Sequence, residues 1–320
     1  MKKTMTNRET AAFFRNHDRF LIINHRRPDG DAVGSAAALC LGLRQMGKSA
    51  WVWKNPETTE RYQAYVKGLE TEEIPENAVL VSVDLATENL LPLNGSAFAG
   101  KIRLAIDHHI SNEFYAEDTN VDPKAAACGE LLLDILKQLG PVSPAMADAL
   151  YVAVSTDTGC FRYSNVTGNT LRTAGELKDL GADTYPINKA LFDTKTIARL
   201  RLESALTDSA EFYAGGMVCL CSIPLNLMDE IGATEDDADD ISGFPRSIYG
   251  VQIGVLIKEL REGGAKLSLR TGPDYNASEI CARLGGGGHK AAAGAQDQDG
   301  LASAKKRILA AIAESGVQLT

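Results

Sequence analysis

Four short apolar runs in the chain break off at acidic or histidine side chains. Phe20 to Ile23 precedes His25, Asp29 and Asp31; Val79 to Val83 precedes Asp84; Leu104 to Ile106 precedes Asp107, His108 and His109; Val152 to Val154 precedes Asp157. A charged side chain is costly inside a sheet or helix core and sensible at its rim. Between these runs, Ala36, Leu39, Leu43 and Met46, then Leu132, Ile135, Leu136 and Leu139, recur at helical spacing, and Gly47 and Gly140-Pro141 close the two patterns. Residues 145–154 read as a further buried helix. Alternating strands and helices predict an α/β fold, a mainly parallel sheet with helices on both faces. In such sheets ligands gather beyond the carboxyl ends of the strands. The ionisable clusters fall there, which points to a metal centre at one edge of the sheet.

At 320 residues the chain is long enough for two domains. We expect a catalytic metal-binding domain over 1–185, a partly helical connecting segment over 186–210, and a smaller α/β domain over 211–320. In the last region Phe212 to Ser222, Val251 to Ile257 and Lys266 to Leu269 read as strands, and Asn276 to Leu284 and Leu301 to Ala313 as helices. The formal charge of -9 argues against a broad basic surface for long nucleic acid, while leaving room for a local pocket for a small phosphorylated ligand. The acidic stretch Asp229 to Asp240 lacks the ligand spacing and central glycine of a calcium loop and reads as a solvated helix start. The six cysteines form no CxxC pair, so buried, reduced thiols are expected. No run approaches the ~18 apolar residues of a membrane span and the N-terminus lacks an apolar leader, so a cytoplasmic protein without membrane contact is expected. His17, among charged residues, is assigned no role.

Taken singly, each cluster has an ordinary explanation. Pro28, Asp29 and Gly30 are turn formers, Asp84 could cap a helix, and Asp157 could end one. Their joint occurrence favours a metal site. Imidazole with carboxylates suits Mn²⁺, with Zn²⁺, Fe²⁺, Co²⁺ or Mg²⁺ as alternatives. Along an extended segment His108 and His109 cannot aim both rings the same way, so one ring can ligate while the other faces substrate. Asp107 could hold His108 through its second ring nitrogen. Farther on, Gly285, Gly286, Gly287 and Gly288 precede His289. Glycines let backbone approach a ligand closely, and free amides in such a loop can cradle phosphate. The loop is no Walker A motif, since Gly-Lys-Ser/Thr is absent.

These elements, in this order, resemble the DHH/DHHA1 phosphoesterase superfamily. The residues that carry the resemblance are His25-Arg26-Arg27-Pro28-Asp29-Gly30-Asp31-Ala32-Val33-Gly34-Ser35, Asp84, Asp107-His108-His109, Thr156-Asp157-Thr158-Gly159 and Gly285 to Gly294. Size and layout are most similar to the bacterial oligoribonuclease (nanoRNase)/pAp-phosphatase subgroup. The resemblance implies a DHH catalytic domain, a DHHA1 substrate domain, and an active site in the cleft between them. It implies one metal held by His25, Asp29 and Asp84, and a second held by Asp31, Asp84, His108 and Asp157, with two Mn²⁺ as cofactor and Mg²⁺, Co²⁺ or Fe²⁺ as substitutes. It places His109 at the scissile phosphate as a catalytic and substrate-binding group beside Asp84. Arg270, Gly286, Gly287, Gly288, His289 and Arg162 are the remaining substrate-binding candidates. The implied activity is hydrolysis of oligoribonucleotides two to five nucleotides long to mononucleotides, with 3′-dephosphorylation of adenosine 3′,5′-bisphosphate (pAp). Phosphodiesterase action on pApA or cyclic di-AMP is the alternative. Pyrophosphate or polyphosphate hydrolysis is less favoured, because the glycine loop suits nucleotides, and the intact ligand set argues against a nucleotide-binding protein without turnover. The implied partners are short RNA or small phosphorylated nucleotides. A homodimer is compatible with the sequence, which shows no dimer face.

Overall fold

The computed structural model describes residues 3–238 and 241–319. The chain divides into one compact unit up to Thr194 and a second from Lys195 onward.

In the first unit, seven strands form one sheet. They are β1 (Lys3–Thr4), β2 (Phe20–Ile23), β3 (Ala50–Trp53), β4 (Glu70–Thr71), β5 (Val79–Val83), β6 (Leu104–Asp107) and β7 (Asp118–Val121). Their order is β1-β7-β6-β5-β2-β3-β4, and every pairing is parallel. The chain runs outward from β2 toward β4 on one side and from β5 toward β7 on the other. β2 and β5 are therefore the neighbours at which the winding reverses, the place where open α/β sheets bind ligands.

Alternation along each strand splits the apolar side chains between the two faces. Phe20, Ile22, Val81, Val83, Leu104 and Ile106 pack under α1 (Asn7–Asn16), α2 (Gly30–Gln45), α3 (Glu60–Val66), α4 (Cys128–Leu139) and α5 (Pro144–Asp157). Leu21, Ile23, Leu80 and Ala105 face the other way, against Leu85, Leu91, Phe98 and Ile102. That second layer contains two short 3₁₀ turns, Glu88–Leu90 and Leu93–Phe98. The expected helices follow closely: Met46 is the C-cap of α2 and Gly140 that of α4. The unit closes with α6 (Gly168–Asp179) and α7 (Thr184–Asn188).

The second unit is a mixed six-stranded sheet of order β12-β13-β11-β10-β9-β8. Its elements are α8 (Ile197–Asp208), β8 (Glu211–Tyr213), β9 (Val218–Ile223), α9 (Leu225–Ile231), α10 (Phe244–Ser247), β10 (Ile253–Glu259), β11 (Ala265–Thr271), α11 (Ala277–Ala282), β12 (Gly287–Gly288), β13 (Ala292–Asp297) and α12 (Leu301–Glu314). Only β9 and β10 pair in parallel. Ile280, Ile308 and Ile312 cover one face; Leu202, Leu206 and Met228 cover the other. The stretch 186–210 is shared out: Ile187 and Leu191 join the first core, Leu202 and Leu206 the second.

Two expectations need correction. The apolar run Phe212 to Ser222 is two antiparallel strands, because Ala214, Gly215 and Gly216 all take positive φ (54°, 63° and 93°) and reverse the chain. The acidic stretch is a helix start only in part: Asp236 and Asp237 open a short 3₁₀ turn, Asp236–Ala238, and Glu235 before it is exposed. Asp229 and Glu230 lie at the end of α9, and Asp237 is buried, its carboxylate accepting from the Thr196 hydroxyl and from the Thr234 amide at 2.8 Å. Asp239 and Asp240 lie outside the described residues. Five cysteines are buried, Cys160 is partly exposed, and none forms a disulfide. No described helix is long and apolar enough to cross a membrane.

Candidate metal centre

Three adjacent strands deliver ionisable groups to one rim. His25 lies two residues past β2, Asp84 directly follows β5, and His108 and His109 directly follow β6. Two helices supply the rest. Asp29 caps α2, its carboxylate accepting from the Ala32 amide at 3.1 Å, and Asp31 sits in the first turn of that helix. Asp157 is the last residue of α5. What brings Asp31 and Asp157 together is the closeness of the two helices. A Cβ on Gly34 would lie 2.3 Å from the Ala149 carbonyl oxygen, and one on Gly30 would lie 2.4 Å from the Thr156 side chain.

The ligand atoms converge in two linked sets. His25 Nε2 lies 3.8 Å from Asp29 Oδ1 and 3.7 Å from Asp84 Oδ2. His108 Nε2 lies 3.4 Å from Asp84 Oδ1, 3.6 Å from Asp157 Oδ2 and 3.7 Å from Asp31 Oδ2. Within each of the trios His25–Asp29–Asp84 and Asp31–His108–Asp157, one ligand atom per residue lies within 4.8 Å of the others, as it does for Asp84–His108–His109. Asp84 joins the sets through its two carboxylate oxygens.

Supporting contacts fix the side chains. Asp31 is fully buried and accepts from the backbone amides of Cys128 at 2.6 Å and Gly129 at 3.0 Å, and from Ser35 Oγ at 2.9 Å. The Ala125 carbonyl lies 3.2 Å from His108 Nδ1. A carbonyl only accepts, so Nδ1 carries a proton toward it and Nε2 is the nitrogen turned to the carboxylates and available to a metal. This corrects the expected partner of Asp107. Its carboxylate engages His109 Nδ1 at 2.8 Å, and meets only the backbone amide of His108. Asn112 Nδ2 donates to the other oxygen of Asp107 at 2.6 Å. The two imidazoles also approach the same carboxylate, since His109 Nδ1 is 3.6 Å from Asp84 Oδ1. β6 has already ended at Asp107, so the alternation of an extended strand no longer separates them.

The electrostatics register a shortage of positive charge. Burial pulls His25 down, but Asp29 and then Asp84 outweigh it and hold the imidazole up at about 10. His108 is likewise held up to about 11, mainly by Asp84 against its burial. Burial, reinforced by Asp84, pushes the Asp31 carboxyl well above its ordinary range, and burial pushes Asp157 up to about 7 despite His108. Asp84 Oδ1 is buried and accepts no hydrogen bond of good geometry. Asp84 also adopts a left-handed backbone with φ of 53°, uncommon for a non-glycine residue and typical of strained functional positions. A crowded set of carboxylates and imidazoles with an orphaned buried oxygen at its centre fits divalent cations.

The expected substrate residues are placed differently. Arg162 is exposed on the loop after Asp157, with Nε donating to the Gly159 carbonyl at 2.6 Å. Arg270 is on β11, its Nη2 donating to Ser242 Oγ at 2.8 Å. His289 is exposed. The glycine loop departs from the phosphate-cradle expectation. Gly285, Gly286 and His289 donate their amides internally, to Ala282, Cys281 and Ala292 at 3.0, 3.0 and 2.8 Å. Gly287 and Gly288 form β12 against β13. Gly286 and Gly288 are needed for that pairing: a Cβ there would sit 2.1 Å from the Gly294 and 2.6 Å from the Ala292 carbonyl oxygen. Sequence reasoning missed the buttressing amides of Asn112, Asn165 and Asn55, the last holding the His25 carbonyl at 2.9 Å.

Comparison with known proteins agrees with this architecture. Residues 19–154 match the DHH family, N-terminal domain, and residues 217–315 match the DHHA1 domain. The chain is 32% identical, over 92% of its own length and 89% of the relative's, to the bifunctional oligoribonuclease and PAP phosphatase NrnA of Thermus thermophilus. It is 27% identical to the cyclic-di-AMP phosphodiesterase PdeA of Listeria monocytogenes over 92% of its length, but over only 47% of that protein. The crystal structure of an exopolyphosphatase-related protein from Bacteroides fragilis superposes with a TM-score of 0.82 at 24% identity, covering 96% of this chain and 95% of that one, which establishes the shared fold. The chain belongs to the DHH family, with a DHH N-terminal domain followed by a DHHA1 domain.

Proposed function

We propose that this protein is a Mn²⁺-dependent phosphoesterase that hydrolyses oligoribonucleotides of two to five nucleotides to mononucleotides and removes the 3′-phosphate of pAp. The observation that carries the reading is Asp84, whose two oxygens face two separate ligand sets while one of them, buried, accepts no hydrogen bond of good geometry. The name of the Thermus relative, aligned over nearly the whole of both chains, supports the substrate class.

In this reading His25, Asp29 and Asp84 hold one cation, and Asp31, Asp84, His108 and Asp157 hold the other. When bound, such cations supply Lewis acidity to a phosphoryl group and acidify water. Mixed imidazole and carboxylate donors favour Mn²⁺ over Mg²⁺, which prefers an all-oxygen shell. His109, oriented by Asp107, stabilises developing charge or protonates the leaving oxygen. Asn112 in turn keeps Asp107 facing the imidazole. Arg270, His289 and Arg162 are assigned to the substrate's other phosphates, and the segment Gly286 to Gly288 to shaping the backbone beside them. The net charge of -9 disfavours long polymers, consistent with short substrates.

The test is to incubate the purified protein and Mn²⁺ with pGpG, five-nucleotide RNA, pAp, pApA, cyclic di-AMP and pyrophosphate. Turnover of pGpG and pAp above the others supports the proposal. Preferential turnover of cyclic di-AMP or pApA replaces it with the phosphodiesterase reading, and turnover of pyrophosphate alone removes both.

A further inference from the structure

The two ligand sets are supported by different parts of the chain. Segment 125–129 is the anchor of one of them. The Ala125 carbonyl accepts from His108 Nδ1 at 3.2 Å, and the Cys128 and Gly129 amides hold the Asp31 carboxylate at 2.6 and 3.0 Å. Asp157, the third member, reaches the same segment through Asn165. The Asn165 side-chain amide donates to the Asp157 carbonyl at 3.0 Å and to the Ala126 carbonyl at 3.2 Å. Both partners are acceptors, so the orientation of the amide is determined: its nitrogen, and not its oxygen, must face them.

The chain takes an unfavourable route to make this bridge. After α5 ends, Gly159, Cys160 and Phe161 adopt φ of 55°, 55° and 64° in succession. Left-handed conformations are disfavoured for residues with a Cβ, and two of these three have one. The reversal is stitched by the Cys160 amide to the Ser155 carbonyl at 2.7 Å and by Arg162 Nε to the Gly159 carbonyl at 2.6 Å. It returns Asn165 to the end of the helix that carries Asp157. The other set has separate support: Asn55 holds the His25 carbonyl, and the Ala32 amide donates to the Asp29 carboxylate.

Resting on the two-cation reading above, we propose that Asn165 is a positioning residue for one metal position only, that of Asp31, His108 and Asp157. It ties Asp157 to the segment that already fixes the other two ligands. Residues outside the ligand shell that orient ligands typically change metal affinity by ~10–100-fold when removed. Asn165 is exposed, so its truncation opens no core cavity.

The experiment is calorimetric titration of Mn²⁺ into chelator-stripped full-length protein, with electron paramagnetic resonance to count free Mn²⁺. It compares the natural chain with Asn165→Ala and with the isosteric Asn165→Asp, which has no N–H to donate. Two ions are expected per natural chain. In both variants one ion should bind within about twofold of its natural affinity and the other ~10–100-fold more weakly, while the melting temperature of the stripped protein moves by less than about 2 °C. Unchanged affinity at both positions in both variants overturns the inference and leaves the two-cation reading standing. Equal weakening of both positions, or a large fall in stability of the stripped protein, makes Asn165 a general structural residue and also overturns it. A natural chain that binds fewer than two ions removes the two-cation reading and this inference with it.

Discussion

In the first unit, Gly30 and Gly34 let α2 lie against α5 closely enough to set Asp31 beside Asp157. In the second unit, Gly286 and Gly288 let a two-residue strand lie against β13, where a Cβ would meet the Gly294 and Ala292 carbonyls at 2.1 and 2.6 Å. Both regions use the missing side chain for close approach of the chain to itself. Near the metal centre that approach sets the spacing of two carboxylates, so a packing feature becomes a chemical one. In the glycine loop, the amides that might have met a phosphate are largely spent on neighbouring carbonyls. A run of glycines in a sequence therefore signals a close approach without saying what is approached.

The largest effect that separates the two regions is removal of the charges that the first one assembles. Asp84→Ala and Asp157→Ala should each lower Mn²⁺-dependent hydrolysis of a diribonucleotide by at least ~10³-fold, the loss of several kcal/mol of charge stabilisation, with the circular dichroism spectrum retained. Activity within tenfold in both variants would remove the centre from the reaction.

Next in size is the helix contact. Gly34→Ala places a methyl group 2.3 Å from a backbone oxygen that cannot rotate away, so overpacking of about 1–3 kcal/mol is expected. The urea midpoint and kcat/KM should fall together, because α2 and α5 must separate and carry Asp31 away from Asp157. A fall in stability with full activity would show that the spacing of the helices does not matter to the chemistry.

The second unit offers the sharpest contrast between two adjacent glycines. Gly286→Ala should destabilise that unit by a similar 1–3 kcal/mol or so, while leaving Mn²⁺ affinity unchanged. Gly287→Ala faces open space, with no atom within 4 Å of a Cβ, and should be tolerated in stability. If Gly287→Ala raises KM for short RNA without moving the melting temperature, the exposed backbone there meets substrate after all.

The smallest expected effect is in proton balance. His25 and His108 are held up at about 10 and about 11 by nearby carboxylates. A raised imidazole stabilises the metal-free fold fully below its unfolded value near 6.5, and that contribution is lost as pH rises through the folded values. A metal requires the neutral ring, so binding expels protons and tightens as pH rises. Calorimetry at about pH 7.5 in two buffers of different ionisation enthalpy should show at least about one proton released per chain. No release would show either that these rings are already neutral in the metal-free fold or that they do not ligate.

The strand ends that carry His25, Asp84 and the Asp107–His109 run were legible because short apolar runs break off sharply at ionisable residues, and a parallel sheet collects such breaks on one rim. The supports were not legible. The Cys128 and Gly129 amides that hold Asp31 leave no signature in a sequence, since every residue but proline carries the same group. Asn112 and Asn165 look like ordinary turn residues until the fold brings Asp107 and Asp157 to them. Asp107 was paired with the wrong imidazole because adjacency in sequence favoured His108, whereas the turn after β6 brings the His109 ring onto it. In the second unit, apolar residues on both sides of Gly215-Gly216 concealed a reversal that only the positive φ values reveal.

Asp84 ties catalysis to the fate of the folded chain. Its left-handed backbone and its crowding against the buried carboxylate of Asp31 both weigh against the native state, and the imidazoles of His108 and His109, 3.4 and 3.6 Å from Asp84 Oδ1, offset the second only in part. An ion that binds only the native form adds about 2.7 kcal/mol at a hundredfold excess over its Kd, a large share of what holds most domains together. If the centre binds its cations, their supply would govern how many molecules stay folded as well as how fast each one works, so that starvation for the metal would thin the population before it slowed the survivors.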